Sequence, residues 1–374
     1  MEMLEKDGVL LQTDIVNASG IEDSEIVIES VLKFNSNFTF SNCKIQIQGD
    51  KSAQIEVGSC ELVFEDCIVY FEGNASKPAI FNKNGNLSFD TCSFVKESVD
   101  NKETYIQSEA DKKNIEMYNC KISDFTGSFL KLHGTNVSLD KVVVDGFNGN
   151  FITMQKIDYH RQASLIVNNS SFKNCNTRIL TTLIYVACGD TVKFDNTKFE
   201  KCDGECIKLA DGELRAKAVI TNCVFDTCNH KKDSIFSNEN KVIYTFRYIT
   251  EIRNCTFKKV SCISISAQIV KAEIIGCKFL DCKKDEIGGF LDIHVDVDEP
   301  IILIKDCSFD RCINEDTYNS GIIYLGSGYV EKCNKETVLI KNCTFNDCKA
   351  KQNIRGVEKQ EGFFGRSIKL YKLI

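Results

Sequence analysis

The sequence contains no tryptophan, only 2 prolines and only 4 histidines in 374 residues. Tryptophan is the strongest stacking platform in sugar-processing grooves, so its absence tilts against glycan chemistry, although tyrosine can substitute. Also missing is any clustering of positive charge. The formal charge is −7, with Lys and Asp/Glu interspersed along the chain, so no basic stripe is available to follow a phosphate backbone and no nucleic-acid partner is expected. The one locally basic stretch, Lys349, Lys351, Arg355, Arg366, Lys369 and Lys372, reads as a solvated terminus. No apolar run approaches bilayer length, so no membrane span is expected. The opening Met1 to Asp7 is acidic, and Val9 to Val16 is broken by Gln12, Thr13 and Asp14. With no apolar signal core there, the expectation is a soluble chain that is not exported.

What is abundant is cysteine and phenylalanine, 20 and 25 residues respectively, beside 22 glycines. A chain longer than the roughly 250 to 300 residues of one core is either two domains or an array growing in one dimension. Self-alignment decides for the array. Asn222-Cys-Val-Phe-Asp-Thr-Cys228, Gly276-Cys-Lys-Phe-Leu-Asp-Cys282, Asp306-Cys-Ser-Phe-Asp-Arg-Cys312 and Asn342-Cys-Thr-Phe-Asn-Asp-Cys348 share the frame C-x-F-x-x-C. Weaker copies start at Cys43, Cys67, Cys92, Cys120, Asp140, Ser170, Thr197 and Cys255, giving twelve copies with starts 20 to 36 residues apart. That period signals a solenoid with loops of uneven length at fixed corners.

Side-chain parity identifies the solenoid. Three residues before the first slot the position is apolar in all twelve copies: Phe40, Phe64, Phe89, Met117, Val137, Val167, Phe194, Ile220, Ile252, Ile274, Ile304 and Ile340. Two residues earlier it is again mostly apolar, which is an inward-facing strand of period 2. The slot residue and the Phe two positions later form a second inward pair, shifted by one. The chain must turn between them, and the residue at the turn is Asn42, Asp66, Asn119, Asn196, Asn222, Asn254, Gly276, Asp306 or Asn342. These types adopt a left-handed backbone at least cost. A third strand follows each second slot, as in Gly127-Ser-Phe-Leu-Lys-Leu132 and Gly288-Gly-Phe-Leu-Asp-Ile293. The pattern predicts an all-β chain, a right-handed parallel β-helix of about twelve coils of three short strands. It predicts one repeat domain over 1–374, with 1–33 a degenerate first coil or cap and 349–374 the last coil and tail.

At these residues the chain resembles the polymorphic outer membrane protein repeats, marked by a G-G-A-I-like element and an F-x-x-N element in each coil. The counterparts are Gly288-Gly-Phe-Leu291 with Phe279-Leu-Asp-Cys282, and Ser320-Gly-Ile-Ile323 with Phe309-Asp-Arg-Cys312. Cysteine stands where that family has Asn. The resemblance implies a pectin-lyase-like β-helix displayed as an adhesin or passenger, at the cell surface or secreted, whereas this sequence shows neither export signal nor anchor. The same fold hosts carbohydrate-active lyases and hydrolases, the alternative function. The paired-Asp motif of polygalacturonases, with its Gly-His-Gly and Arg-Ile-Lys elements, is absent.

The sharpest catalytic candidate is the strand end His294-Val-Asp296-Val-Asp298-Glu299, where alternation puts His294, Asp296 and Asp298 on one face, as acids or calcium ligands would be placed. A solvated corner is its plainer reading, and Asp211-Gly-Glu213 is blander still. The frame cysteines read as small buried hydrophobes stacked at about 4.8 Å. That spacing also permits disulfides between coils, whereas zinc-ligand spacing does not fit because a buried Phe intervenes. Cys202 and Cys206 are the only close pair outside the frame. No cofactor and no metal are predicted. Nine Asn-x-Ser/Thr sequons, starting at residues 17, 37, 74, 86, 136, 168, 169, 254 and 342, are compatible with a glycosylated exported protein. The expected function is a monomeric, non-catalytic scaffold binding a protein or glycan ligand on its corner loops: Val99 to Asn114, His230 to Asn240, Gly326 to Glu336 and Lys349 to Gln360.

Overall fold

The structure is a computed structural model. It describes residues 9–10, 19–48, 54–72, 77–96, 104–155, 163–177, 182–187, 189–210, 216–228, 241–266, 271–284, 289–295, 301–315, 321–327, 338–350 and 368–370. Every regular element among them is a β-strand. Two compact units divide the chain, Met1–Gly189 and Asp190–Ile374, and each is a stack of three-stranded coils.

A coil of the first unit illustrates the build. Strand Asn114–Tyr118 forms the first face, Lys121–Ser123 the second and Thr126–His133 the third. Each pairs in parallel with its equivalent one coil later: Met117 lies opposite Leu139, Ile122 opposite Val144, Leu130 opposite Ile152. In the second unit, Lys217–Thr221, Val224–Asp226 and Ile243–Phe246 do the same with Ile249–Arg253, Thr256–Lys258 and Ile263–Ser266. Parallel pairing in unshifted register stacks like side chains on like, so one choice per coil becomes a column through the core.

The turn between first and second faces is as the parity demands. Asn42, Asp66, Asn119, Asn196, Asn222, Asn254, Gly276, Asp306 and Asn342 all have φ between 50° and 66° or close to it, from 48° at Asn196 to 66° at Gly276. Thr91, Lys141 and Asn169 complete the column. A second left-handed column, not anticipated, precedes the second slot: Asp124, Gly146, Asn174, Lys201, Thr227, Lys259, Asp281, Arg311 and Asp347. From Cys120 onward the two slots are always five residues apart. The chain from second slot to third face is free by contrast, with a single residue between Val260 and Cys262 and 13 between Cys228 and Val242.

Three expectations need correction. The slot in the fifth copy is Val142, not Asp140: Met117 pairs with Leu139, so Leu139 rather than Val137 is the inward residue three before the slot. A slip of two residues preserves period-2 parity, which is why parity could not detect it. The coil count also differs slightly from twelve. In the segment expected as a degenerate first coil or cap, Gly20–Glu22, Glu25–Ile28 and Val31–Phe34 form a regular coil, with Asp23 left-handed at φ 52° and Ser24 in the slot. Finally, part of the predicted Val99 to Asn114 loop is a strand. Thr104–Ser108 pairs Ile106 with Ile80 and Leu130, burying Tyr105, Ile106 and Ser108.

Candidate functional site

The predicted acidic corner is only partly within view. His294 lies in the third-face strand Gly289–Val295, opposite Gly326, while Asp296, Asp298 and Glu299 lie outside the described residues. Two positions before His294, the same strand carries a carboxylate the sequence reading passed over. Asp292 alternates outward between inward Leu291 and Ile293, yet it is only 7 % exposed. It lies opposite Ser264, which lies opposite Tyr244, which lies opposite Lys208. Tyr244 carries two ammonium groups over its ring, with Lys208 Nζ 5.4 Å and Lys241 Nζ 4.4 Å from the centroid. Such contacts contribute roughly 0.5–1 kcal/mol at exposed sites.

Beside this row is a buried cation. Lys284, in the short strand Lys283–Lys284, is 7 % exposed and points its ammonium at Cys262 Sγ, 3.2 Å away. Burial pushes the Cys262 thiol up. Lys284 pulls it down and Asp292 pushes it further up, so the three groups share one electrostatic neighbourhood. A lysine is almost never this buried without compensation. Asp292 is a negative charge that acts on the same Cys262 thiol, and the fully buried Asn314, paired in register with Lys284, adds polarity. The signal was present in the sequence. Cys262, Lys284 and Asn314 each stand two residues after a second slot, and a lysine in that inward column is conspicuous once the repeat is aligned. Its described residues contribute one amine, one thiol and one carboxylate, so this is a buried polar knot.

The thiols occupy the rest of the interior. None of the 18 described cysteines is in a disulfide, and all but the half-buried Cys343 are buried. They are more than filler. Cys67, Cys92 and Cys120 donate to the carbonyls of Phe40, Phe64 and Phe89, one coil back, each at 3.4 Å. Each also donates across its own corner, as Cys67 does to Glu65 O at 3.2 Å. In two slots that lack cysteine a hydroxyl takes over this second bond: Ser170 to Asn168 O at 2.7 Å and Thr197 to Asp195 O at 3.1 Å, whereas Val142 fills its slot with no side-chain donor. The slot therefore requires a small residue compatible with burial, and a donor there, cysteine at least desolvation cost, adds a bond across the corner. One set, Cys202, Cys206 and Cys228, gathers into a triangle instead of a column.

On the outer faces charges are matched from coil to coil. Lys44 pairs with Glu25 at 2.7 Å, Lys83 with Glu56 at 3.0 Å, Lys258 with Asp226 at 3.2 Å and Arg311 with Asp281 at 2.6 Å. Lys83, ahead of Lys33, holds the Glu56 carboxyl below its ordinary range. Among the described residues no helix is long and apolar enough to cross a membrane.

No family model matches the sequence, and no curated protein matches it. Solved structures do. ORF18 of Geobacillus virus E2 is similar with a TM-score of 0.33 and 13 % identity over 86 % of this chain, which spans 58 % of that protein's length. The periplasmic alginate epimerase AlgG is similar with a TM-score of 0.32 and 8 % identity, over 89 % of this chain and 79 % of its own. Strand order and register thus establish this chain as a parallel β-helix protein, with no family shown.

Proposed function

We propose that the protein is a non-catalytic β-helix scaffold, similar in role to an adhesin or passenger, that binds a protein or glycan through its corner segments. One observation carries the reading: its reactive groups are shielded from solvent. Thiols, Lys284 and Asp292 are buried, while the outward charges are spent on neighbouring coils. Recognition is then left to the corners of variable length, which a rigid scaffold can display. Of those segments, His230 to Asn240 lies outside the described residues, as do most of Gly326 to Glu336 and of Lys349 to Gln360.

The test has two arms. Full-length protein is presented to a glycan array and to immobilised protein ligands, and separately incubated with polygalacturonate and alginate while unsaturated and reducing ends are followed. Saturable binding that weakens at least tenfold when His230 to Asn240 becomes an equal-length Gly-Ser segment is the expected result, with no turnover. Turnover abolished by Asp292→Asn would establish the carbohydrate-active alternative, and the lack of saturable binding on either panel would also end the scaffold reading.

A further inference from the structure

The corner Cys202-Asp-Gly-Glu-Cys206 has two relatives within the chain. Phe125-Thr-Gly-Ser-Phe129 and Phe147-Asn-Gly-Asn-Phe151 have the same length, with glycine at the same place and in the same backbone region: φ is 113° at Gly127, 135° at Gly149 and 103° at Gly204. In those two corners the flanking residues are aromatic pairs, edge to face at 5.5 and 5.6 Å. In the third, both aromatics are replaced by cysteine.

The replacement puts a third thiol beside a stacked pair. Cys202 and Cys228 follow Phe199 and Phe225, which are paired in register with rings stacked at 4.8 Å. Cys206 opens the third-face strand Glu205–Ala210, where its amide bonds to Val242 O at 3.1 Å. The position before the inward residue of that strand is apolar in the two flanking coils, Leu183 and Val242, and is cysteine again, Cys262, two coils later. All three sulfurs lie within 4.8 Å of one another, and all three residues are buried.

We propose that Cys202, Cys206 and Cys228 form a buried site for one thiophilic d10 cation, Cu+ or Zn2+, held by three thiolate sulfurs. A three-coordinate ion with metal–sulfur bonds of about 2.3 Å places its sulfurs roughly 4 Å apart, so the triangle needs only a small contraction to close. Soft sulfur donors select these ions over harder ones. Binding replaces the thiol protons by the ion, so up to three protons leave per ion bound and affinity rises with pH. The same thiol columns elsewhere in the unit, such as Cys255, Cys277 and Cys307, run in single file and offer no such triangle among the described residues.

The chain itself supplies conservative variants. Val242 occupies the position of Cys206 one coil later, and Val260 the slot of Cys228 one coil later, so Cys206→Val and Cys228→Val each import a residue the fold already accepts there. Full-length protein, reduced and metal-free under anaerobic conditions, is titrated with Cu+ and, separately, with Zn2+, each against a chromophoric chelator. The two arms decide which ion binds more tightly. Expected is one equivalent per chain with proton release and a sulfur-to-metal charge-transfer band in the Cu+ arm. Either variant should lower affinity by about 100-fold or more, whereas Cys277→Ala leaves it within about threefold. Should Cys206→Val not fold by circular dichroism, Cys228→Val and proton release by the unsubstituted chain carry the test. Three results overturn the site: retained affinity in folded variants, uptake spread over several equivalents lowered equally by Cys277→Ala, or reduced protein that binds neither ion.

Discussion

The two units solve the same packing problem differently. In the second, Phe199, Phe225, Phe257, Phe279, Phe309 and Phe345 form one column, centroids 4.5 to 5.1 Å apart and rings within 9° of parallel. In the first, the same position holds Ile45, Val69, Phe94, Ile122, Val144 and Phe172, and the aromatics scatter over all three faces. There stacked and crossed contacts mix: Phe40, Phe64 and Phe89 stack on the first face at 5.1 and 4.9 Å, while Phe94 meets Phe129 at 86° and Phe125 meets Phe129 at 87°. The fold needs an inward apolar residue at each site and is indifferent to which one. Strict repetition yields one long parallel stack, and varied repetition yields shorter stacks joined by crossed rings.

The largest expected effect tests the stack. Phe309 is fully buried between Phe279 and Phe345, so Phe309→Ala should cost about 3–5 kcal/mol in equilibrium denaturation. A loss below about 1 kcal/mol would mean that the column is not a stabilising unit.

Next comes alkaline pH. Hydrogen bonding to Cys223 first, then burial, pushes Cys255 up to about 12, and the corresponding contacts to Cys255 and Cys282 push Cys277 and Cys312 up to about 12. Unfolded, these thiols ionise from about 9, whereas the folded state keeps them protonated. The contribution of these thiols should therefore be constant below pH 9 and fall between 9 and 12, by up to about 1.4 kcal/mol per pH unit for each thiol. A melting temperature unchanged between pH 8 and 10.5 would contradict this.

Smaller effects separate the turn residues. Asn342 and Asn346 make similar bonds, to Asp306 Oδ1 at 3.1 Å and Asp310 Oδ1 at 2.8 Å. Only Asn342 is left-handed, at φ 54°, so Asn342→Ala should cost about 1 kcal/mol more than Asn346→Ala by denaturant titration. Smallest is a gain. Thr227, β-branched at φ 57°, is strained, and Thr227→Asn should stabilise by about 0.5–1 kcal/mol, a rise in midpoint that calorimetry would detect.

These residues also mark how far the sequence could be read. Strand parity and the Asn/Asp column were legible because period 2 and left-handed tolerance each restrict residue choice. The second left-handed column was not, because Lys201, Thr227, Lys259 and Arg311 are types that carry no turn signal. Tertiary pairing imposes the conformation on them. Val142 was masked by a two-residue slip and Ser24 by the search for cysteine, when the slot asks only for a small residue. The polar knot at Lys284 and Asp292 escaped because burial of a charge depends on partners one coil away, Cys262 and Asn314, which become visible only once the repeat is aligned through the second slot.

The contrast between a fixed five-residue stretch and a variable one has a use in protein engineering. Between the two slots, two left-handed residues lock the path, so an inserted residue would shift every inward side chain beyond it. After the second slot the chain already accommodates anything from 1 to 13 residues before the third face, and lengthening a closed loop costs only about 0.6 kcal/mol per doubling. The corner after the second slot is thus one docking port for foreign sequence, and a graft placed there adds a new epitope while leaving the register of the lattice beneath it untouched.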